Sequence, residues 1–173
     1  MSALSLLAVL AGCNAGNPGA ALGSGTVAPA ASPVGVVQGT CPAITLRDGT
    51  ASFRTYARGG QDDPAKVVYQ ASLVETTRAC TRSETDMTIT VMVQGRLVAG
   101  PLGTAGTLSM PMRVEVTDGE QVLYSEVSKF DASLADVGQA TQFVFTKNVT
   151  VPSGISNFAK VYVGFEQASS KKK

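Results

Sequence analysis

Histidine and tryptophan are missing from all 173 residues. Without His there is no His-based catalytic triad, no imidazole general base and no His-ligated metal. An excess of one charge sign is missing as well, because 14 Lys plus Arg stand against 13 Asp plus Glu. A net charge of +1 argues against nucleic acid as a partner, since phosphate contacts need a basic surface. No apolar run approaches the ~20 residues of a membrane-spanning helix. Cysteine is reduced to Cys13, Cys41 and Cys80, and the first 46 residues carry no charged side chain. Every charge falls between Arg47 and Lys173, so two differently built parts share the chain.

The uncharged part opens with an apolar run at residues 3–11 (ALSLLAVLA), the length of a signal-peptide core. It ends in Leu10-Ala11-Gly12-Cys13, which resembles the lipobox of bacterial lipoproteins. The resemblance implies removal of residues 1–12, a diacylglycerol on the Cys13 sulfur and acylation of the freed amine. Alternatives are an ordinary secretory signal, or an apolar strand ending in Cys. The basic residues that usually precede such a run are absent, which places the expected true start upstream of Met1. Asn14 stands where enterobacterial sorting reads Asp as an inner-membrane mark, which favours the outer membrane. Residues 14–40 are dominated by Gly, Ala, Pro, Ser, Val and Thr, too little apolar surface to offset chain entropy. Such a tether spans on the order of 30 Å, and two or three acyl chains hold it at the bilayer.

From Cys41 to Gln167 the pattern becomes period two. Met112, Val114 and Val116 alternate with Arg113 and Glu115, as in a half-exposed antiparallel strand. The same alternation appears in Met87, Ile89, Val91 and Val93, in Phe143, Phe145, Val149 and Val151, and in Val161, Val163 and Phe165. Further strands are expected at 51–57, 66–76 and 121–128, while 131–138 has room for one or two helical turns at most. Asp48-Gly49, Gly59-Gly60, Gly100-Pro101, Asp118-Gly119 and Pro152-Ser153-Gly154 are turn-formers, and Asp118-Gly119 is expected to close a hairpin. Seven or eight strands rich in Val and Thr predict an all-β, immunoglobulin- or fibronectin-III-like sandwich over 41–167, followed by a basic tail at 168–173. A small closed barrel is the alternative. With 6% aromatic residues the core must be largely aliphatic.

Once Cys13 is assigned to lipid, Cys41 and Cys80 remain as a pair in an oxidising compartment. A bridge between them stabilises the domain by roughly 4 kcal/mol in the chain-entropy model and pins the tether to the first strand. Free buried thiols are the alternative. A metal site would lack its other ligands, and a redox pair would be closely spaced as Cys-x-x-Cys.

Catalytic signatures are sparse. Asp62-Asp63 lacks the other oxygens that calcium requires and reads as a solvated turn. Gly100-Pro101-Leu102-Gly103-Thr104-Ala105-Gly106 lacks the Gly-Lys-Ser/Thr ending of a phosphate loop and reads as a long hairpin connection. There is no Gly-x-Ser-x-Gly elbow. The expectation is a non-enzyme without metal or cofactor. Arg54, Tyr56 and Arg58 share strand parity and, with Tyr69, form a candidate ligand-binding set. The plainer reading is a solvated sheet face with Arg stems over an aromatic ring.

Lys171-Lys172-Lys173 reads first as a solvated tail. Contact with an anionic surface, at ~1 kcal/mol per Lys, is a second reading. The third rests on a one-residue likeness to the murein lipoprotein of enterobacteria, whose terminal Lys is joined to peptidoglycan, with Lys173 in the matching place.

The stretches CPAITLRDGTASFRTYARG, DDPAKVVYQASLVETTRAC, VMVQGRLVAGP, MPMRVEVTDGEQVLYSE, FVFTKNVTVP and VYVGFEQ resemble a family of uncharacterised envelope lipoproteins of alphaproteobacteria. The resemblance covers 41–167 and implies a Gram-negative envelope protein, without supplying an activity. The expected function is a non-catalytic interaction or structural module, lipid-anchored and facing the periplasm. Its expected partners are an envelope protein or peptidoglycan, docked on an edge strand near 66–76 or 156–166. A small-molecule or glycan-binding lipoprotein is the alternative.

Overall fold

The structure, a computed structural model, describes residues 41–166. The lipobox with Cys13, the tether at 14–40 and the tail ending in Lys173 lie outside the described residues. Among those described there are eight strands: β1 (Ala43–Leu46), β2 (Ser52–Tyr56), β3 (Val67–Arg82), β4 (Asp86–Ala99), β5 (Gly106–Asp118), β6 (Gln121–Leu134), β7 (Thr141–Pro152) and β8 (Lys160–Phe165). A single 3-10 turn, Pro64–Lys66, precedes β3, and no α-helix is present among the described residues.

The strands form two four-stranded sheets, ordered β1-β8-β5-β6 and β2-β3-β4-β7. All pairs are antiparallel except β1 with β8, which run parallel. The strand β7 returns to lie beside β4 while the β5–β6 hairpin belongs to the other sheet, a Greek-key connection. Alternation drives the packing. Met110, Met112, Val114 and Val116 of β5 face Met87, Ile89, Val91 and Val93 of β4 across the interior, all of them essentially excluded from water. Valine supplies much of this core, and Phe143, Phe145 and Phe165 are the buried aromatics. In β4 the inward slot between Val93 and Leu97 is Gly95, because a Cβ there would stand 2.1 Å from Cζ of Phe143.

The Asp118-Gly119 hairpin forms, with Asp118 opposite Gln121 and Gly119 at a φ of 60°, a value that suits Gly. Other expectations need correction. Residues 131–134 continue β6 rather than turning into a helix. The glycine-rich 100–105 segment joins strands of different sheets, so it is a crossing rather than a hairpin. Neither expected docking edge is a free edge along its length. The strand β8 lies between β1 and β5, and the first part of β3 is covered by β2 as far as Ser72. Only from Val74 onward does β3 lose that neighbour.

Cys41 and Cys80 are joined, with Cα atoms 5.7 Å apart. Cys80 pairs with Ile89, so it occupies an inward position, and the bond links the β1 side of one sheet to β3 of the other.

Candidate binding surface

The sandwich has two unlike ends. Cys41, the β3–β4 hairpin, the Asp118-Gly119 hairpin and the β7–β8 loop share one of them, here the proximal end. Ser153 N–H donates to the Thr85 carbonyl, and Ser156 donates from both its N–H and its hydroxyl to the Asp118 carboxylate. Those two bonds hold Asp118 below the usual carboxylate range. Phe158 projects from this loop, 80% exposed. Acids Glu84, Asp86, Asp118 and Glu120 gather here, opposed by Arg82 and Lys160. The distal end lies on the order of 40 Å away along β3. It carries the turn after β2, the 100–105 crossing and the 135–140 connection.

At the distal end β2 stops with a register shift between Thr55 and Tyr56. Arg54 lies opposite Gln70, and its Nε donates to the Gln70 amide oxygen at 2.9 Å. Tyr56 is half-buried, and Arg58, just beyond the strand, is exposed. Two depressions share Arg54 and Tyr56 as walls. One of about 380 Å³ adds Asp62, Gln70, Val98 and Pro101, while the other, about 440 Å³, adds Phe53, Arg58 and Gln61. Arg58 has no ion-pair partner among the described residues. Asp62 sits in the left-handed region at a φ of 63°, unusual for a residue with a side chain. Its neighbour Asp63 caps the 3-10 turn by accepting from Ala65 N–H.

Three of the four residues expected to act together do meet here. Tyr69 does not line either depression. It pairs with Thr55 rather than Arg54, so it falls on the inward face, and its hydroxyl donates to the Thr104 carbonyl at 2.9 Å. That bond ties the 100–105 crossing to β3.

A second polar cluster covers the outer face of the other sheet. Arg47 pairs with Glu115 and lies over the Tyr162 ring, 5.5 Å from its centre. Arg113 pairs with Glu166 at 2.5 Å and donates to the Ser125 hydroxyl at 2.9 Å. The bond to Glu166 raises Arg113 and lowers Glu166 from their ordinary values. These side chains line a cleft of about 350 Å³, but their charges satisfy one another.

A third cluster escaped sequence reasoning. Lys147 takes an inward slot of β7, between Phe145 and Val149, and reaches Glu126 on β6 at 2.5 Å. Glu126 also accepts from the hydroxyls of Tyr124 and Ser128. Bonds from Lys147, Tyr124 and Ser128 pull the Glu126 carboxyl down to about 2, and the bond to Glu126 lifts Lys147 above its ordinary value. Desolvation, then the Glu126 bond, pushes Tyr124 up. The one available signal was a lysine interrupting the run of inward apolar positions in β7.

Among the described residues no three His, Cys, Asp or Glu are grouped to hold a metal ion. No family model, curated protein or solved structure matches the chain.

Proposed function

We propose that this protein is a lipid-anchored module of the Gram-negative cell envelope, non-catalytic, which holds its sandwich in the periplasm and engages an envelope protein or peptidoglycan through its distal loops. The lipobox-like Leu10-Ala11-Gly12-Cys13 supports the anchor, with the outer membrane favoured by Asn14. One observation carries the reading. Residues 1–40 join the sandwich at Cys41, and the disulfide to Cys80 fixes that junction to the end opposite Arg54, Tyr56 and Arg58. A chain held at one end presents the other. The finer assignment to an immunoglobulin- or fibronectin-III-like sandwich belongs to the same proposal, supported by the Greek-key connection. The run β2-β3-β4 in one sheet is its departure from that pattern.

In-cell photo-crosslinking tests the display. A photoreactive residue at Leu102, half exposed at the distal end, should give adducts to envelope protein or peptidoglycan, and one at Glu84 at the proximal end should give none. Adducts from Glu84 alone, or from neither position, contradict the reading.

A second reading, a small-molecule or glycan-binding lipoprotein, is favoured by the paired depressions on either side of Tyr56. It is compatible with the same anchor and display.

A further inference from the structure

We infer that the two depressions flanking Tyr56 are adjacent subsites for an acidic oligosaccharide, with Tyr56 as the platform between them and Arg54 and Arg58 as the groups that meet its carboxylates. The inference rests on the ligand-binding reading and narrows it to one ligand class.

The shape points to an extended ligand. Two depressions of about 380 and 440 Å³ share the Arg54 and Tyr56 walls, so a chain occupying both passes over the tyrosine. A flat aromatic face is suited to the C–H face of a sugar ring, and its hydroxyl keeps a polar edge toward solvent. Gln61, Gln70 and Asp62 supply the mixed donors and acceptors that ring hydroxyls need, one or two in each depression.

The charge points to an acidic ligand. Arg58 is exposed and makes no ion pair among the described residues. Arg54 donates its Nε to the neutral amide of Gln70 and likewise makes no ion pair among the described residues. Against these two guanidinium groups the depressions hold one carboxylate, Asp62. In the other clefts among the described residues Arg47 and Arg113 are matched by Glu115 and Glu166, while Arg96 stands alone beside Phe143 and Val144, so only the depressions at Tyr56 bring two unmatched guanidinium groups together. Unmatched guanidinium groups beside an aromatic wall favour a carboxylate-bearing partner, since Arg recognises carboxylate with two parallel donors.

The test uses the full chain in detergent micelles, titrated calorimetrically with an oligogalacturonate of about five sugars and with a neutral cello-oligosaccharide of the same length. Binding of the acidic probe should exceed that of the neutral one at least tenfold and weaken as salt is raised. Arg58→Ala should reduce it about tenfold, Tyr56→Ala by as much or more, and Arg82→Ala at the proximal end should leave it unchanged. Because Arg58 is exposed, its replacement tests the site without disturbing the fold. Equal binding of the two probes overturns the acidic class while sparing the groove. Absence of binding by either probe at millimolar concentration overturns the groove reading itself. Wild-type affinity in Arg58→Ala overturns the assigned site.

Discussion

The sandwich is closed along its two sides by different means. On one side β1 lies over β3, and the strands at the sheet edges, β1 and β2, have only 4 and 5 residues. On the other, β6 lies over β7, edge strands of 14 and 12 residues. Short edges offer little surface to bury, and there the sheets are joined covalently through Cys41–Cys80, with Phe53 against Phe165 (ring centres 5.6 Å apart) as the apolar contact between β2 and β8. Long edges bury more, and there Phe130 packs on Phe143 and Phe145 at 5.4 and 5.7 Å between ring centres. Their hazard is the opposite one, a long row of unpaired backbone groups open to another strand. Inward-pointing charges are a known defence of such edges, and Lys147 and Glu126 are a pair of them. Short edges need stabilising, and long ones need protecting.

The comparison is broken most severely by removing the covalent side. Replacing both cysteines, Cys41→Ser with Cys80→Ser, should cost about 4 kcal/mol in urea unfolding, by the loop-entropy relation. A loss below ~1 kcal/mol would mean that the short-edge side holds without its bond. Next in size, Phe130→Ala on the long-edge side should cost about 2–3 kcal/mol, since the ring is only partly buried. A greater cost here than for the disulfide would reverse the assigned roles.

The smallest effect belongs to the ion pair and is best read through pH. Glu126 titrates near 2 in the folded chain against 4.5 ordinarily, so folding favours its ionised form. Its contribution is therefore present above pH 4.5, declines as acid protonates the unfolded chain, and is gone below about pH 2. Lys147→Met keeps the bulk of the side chain and removes the charge. The difference in urea midpoint between wild type and this variant should be small at pH 7 and should vanish by pH 2. A difference that persists unchanged at pH 2 would show that packing, rather than charge, is what Lys147 contributes. The same variant should self-associate more readily in analytical ultracentrifugation, because an edge has lost its guard.

Much of this was legible in the sequence, and the omissions have physical causes. The strict alternations of β4, β5, β7 and β8 were readable because both sheets bury one face there. The later half of β3 was not, because among its inward-register positions Thr76 is only partly buried and Arg78 and Arg82 stay exposed, so they need not be apolar. The strand β1 is too short for periodicity to register. Arg54 and Tyr56 share parity in β2 and line the same two depressions, whereas β2 ends at Tyr56 and leaves Arg58 beyond the strand. Parity could not place Tyr69, whose face depends on which residue of β2 it opposes. Lys147 stood in the pattern as an exception, and only the position of Glu126 on the facing sheet explains it.

The central claim is that the sandwich hangs from a lipid through Cys13 and is held at the Cys41 end. Growth with radiolabelled palmitate, followed by capture of the protein, tests it most directly. The wild-type chain should carry label and Cys13→Ser should carry none, whereas equal label in the two would contradict the account.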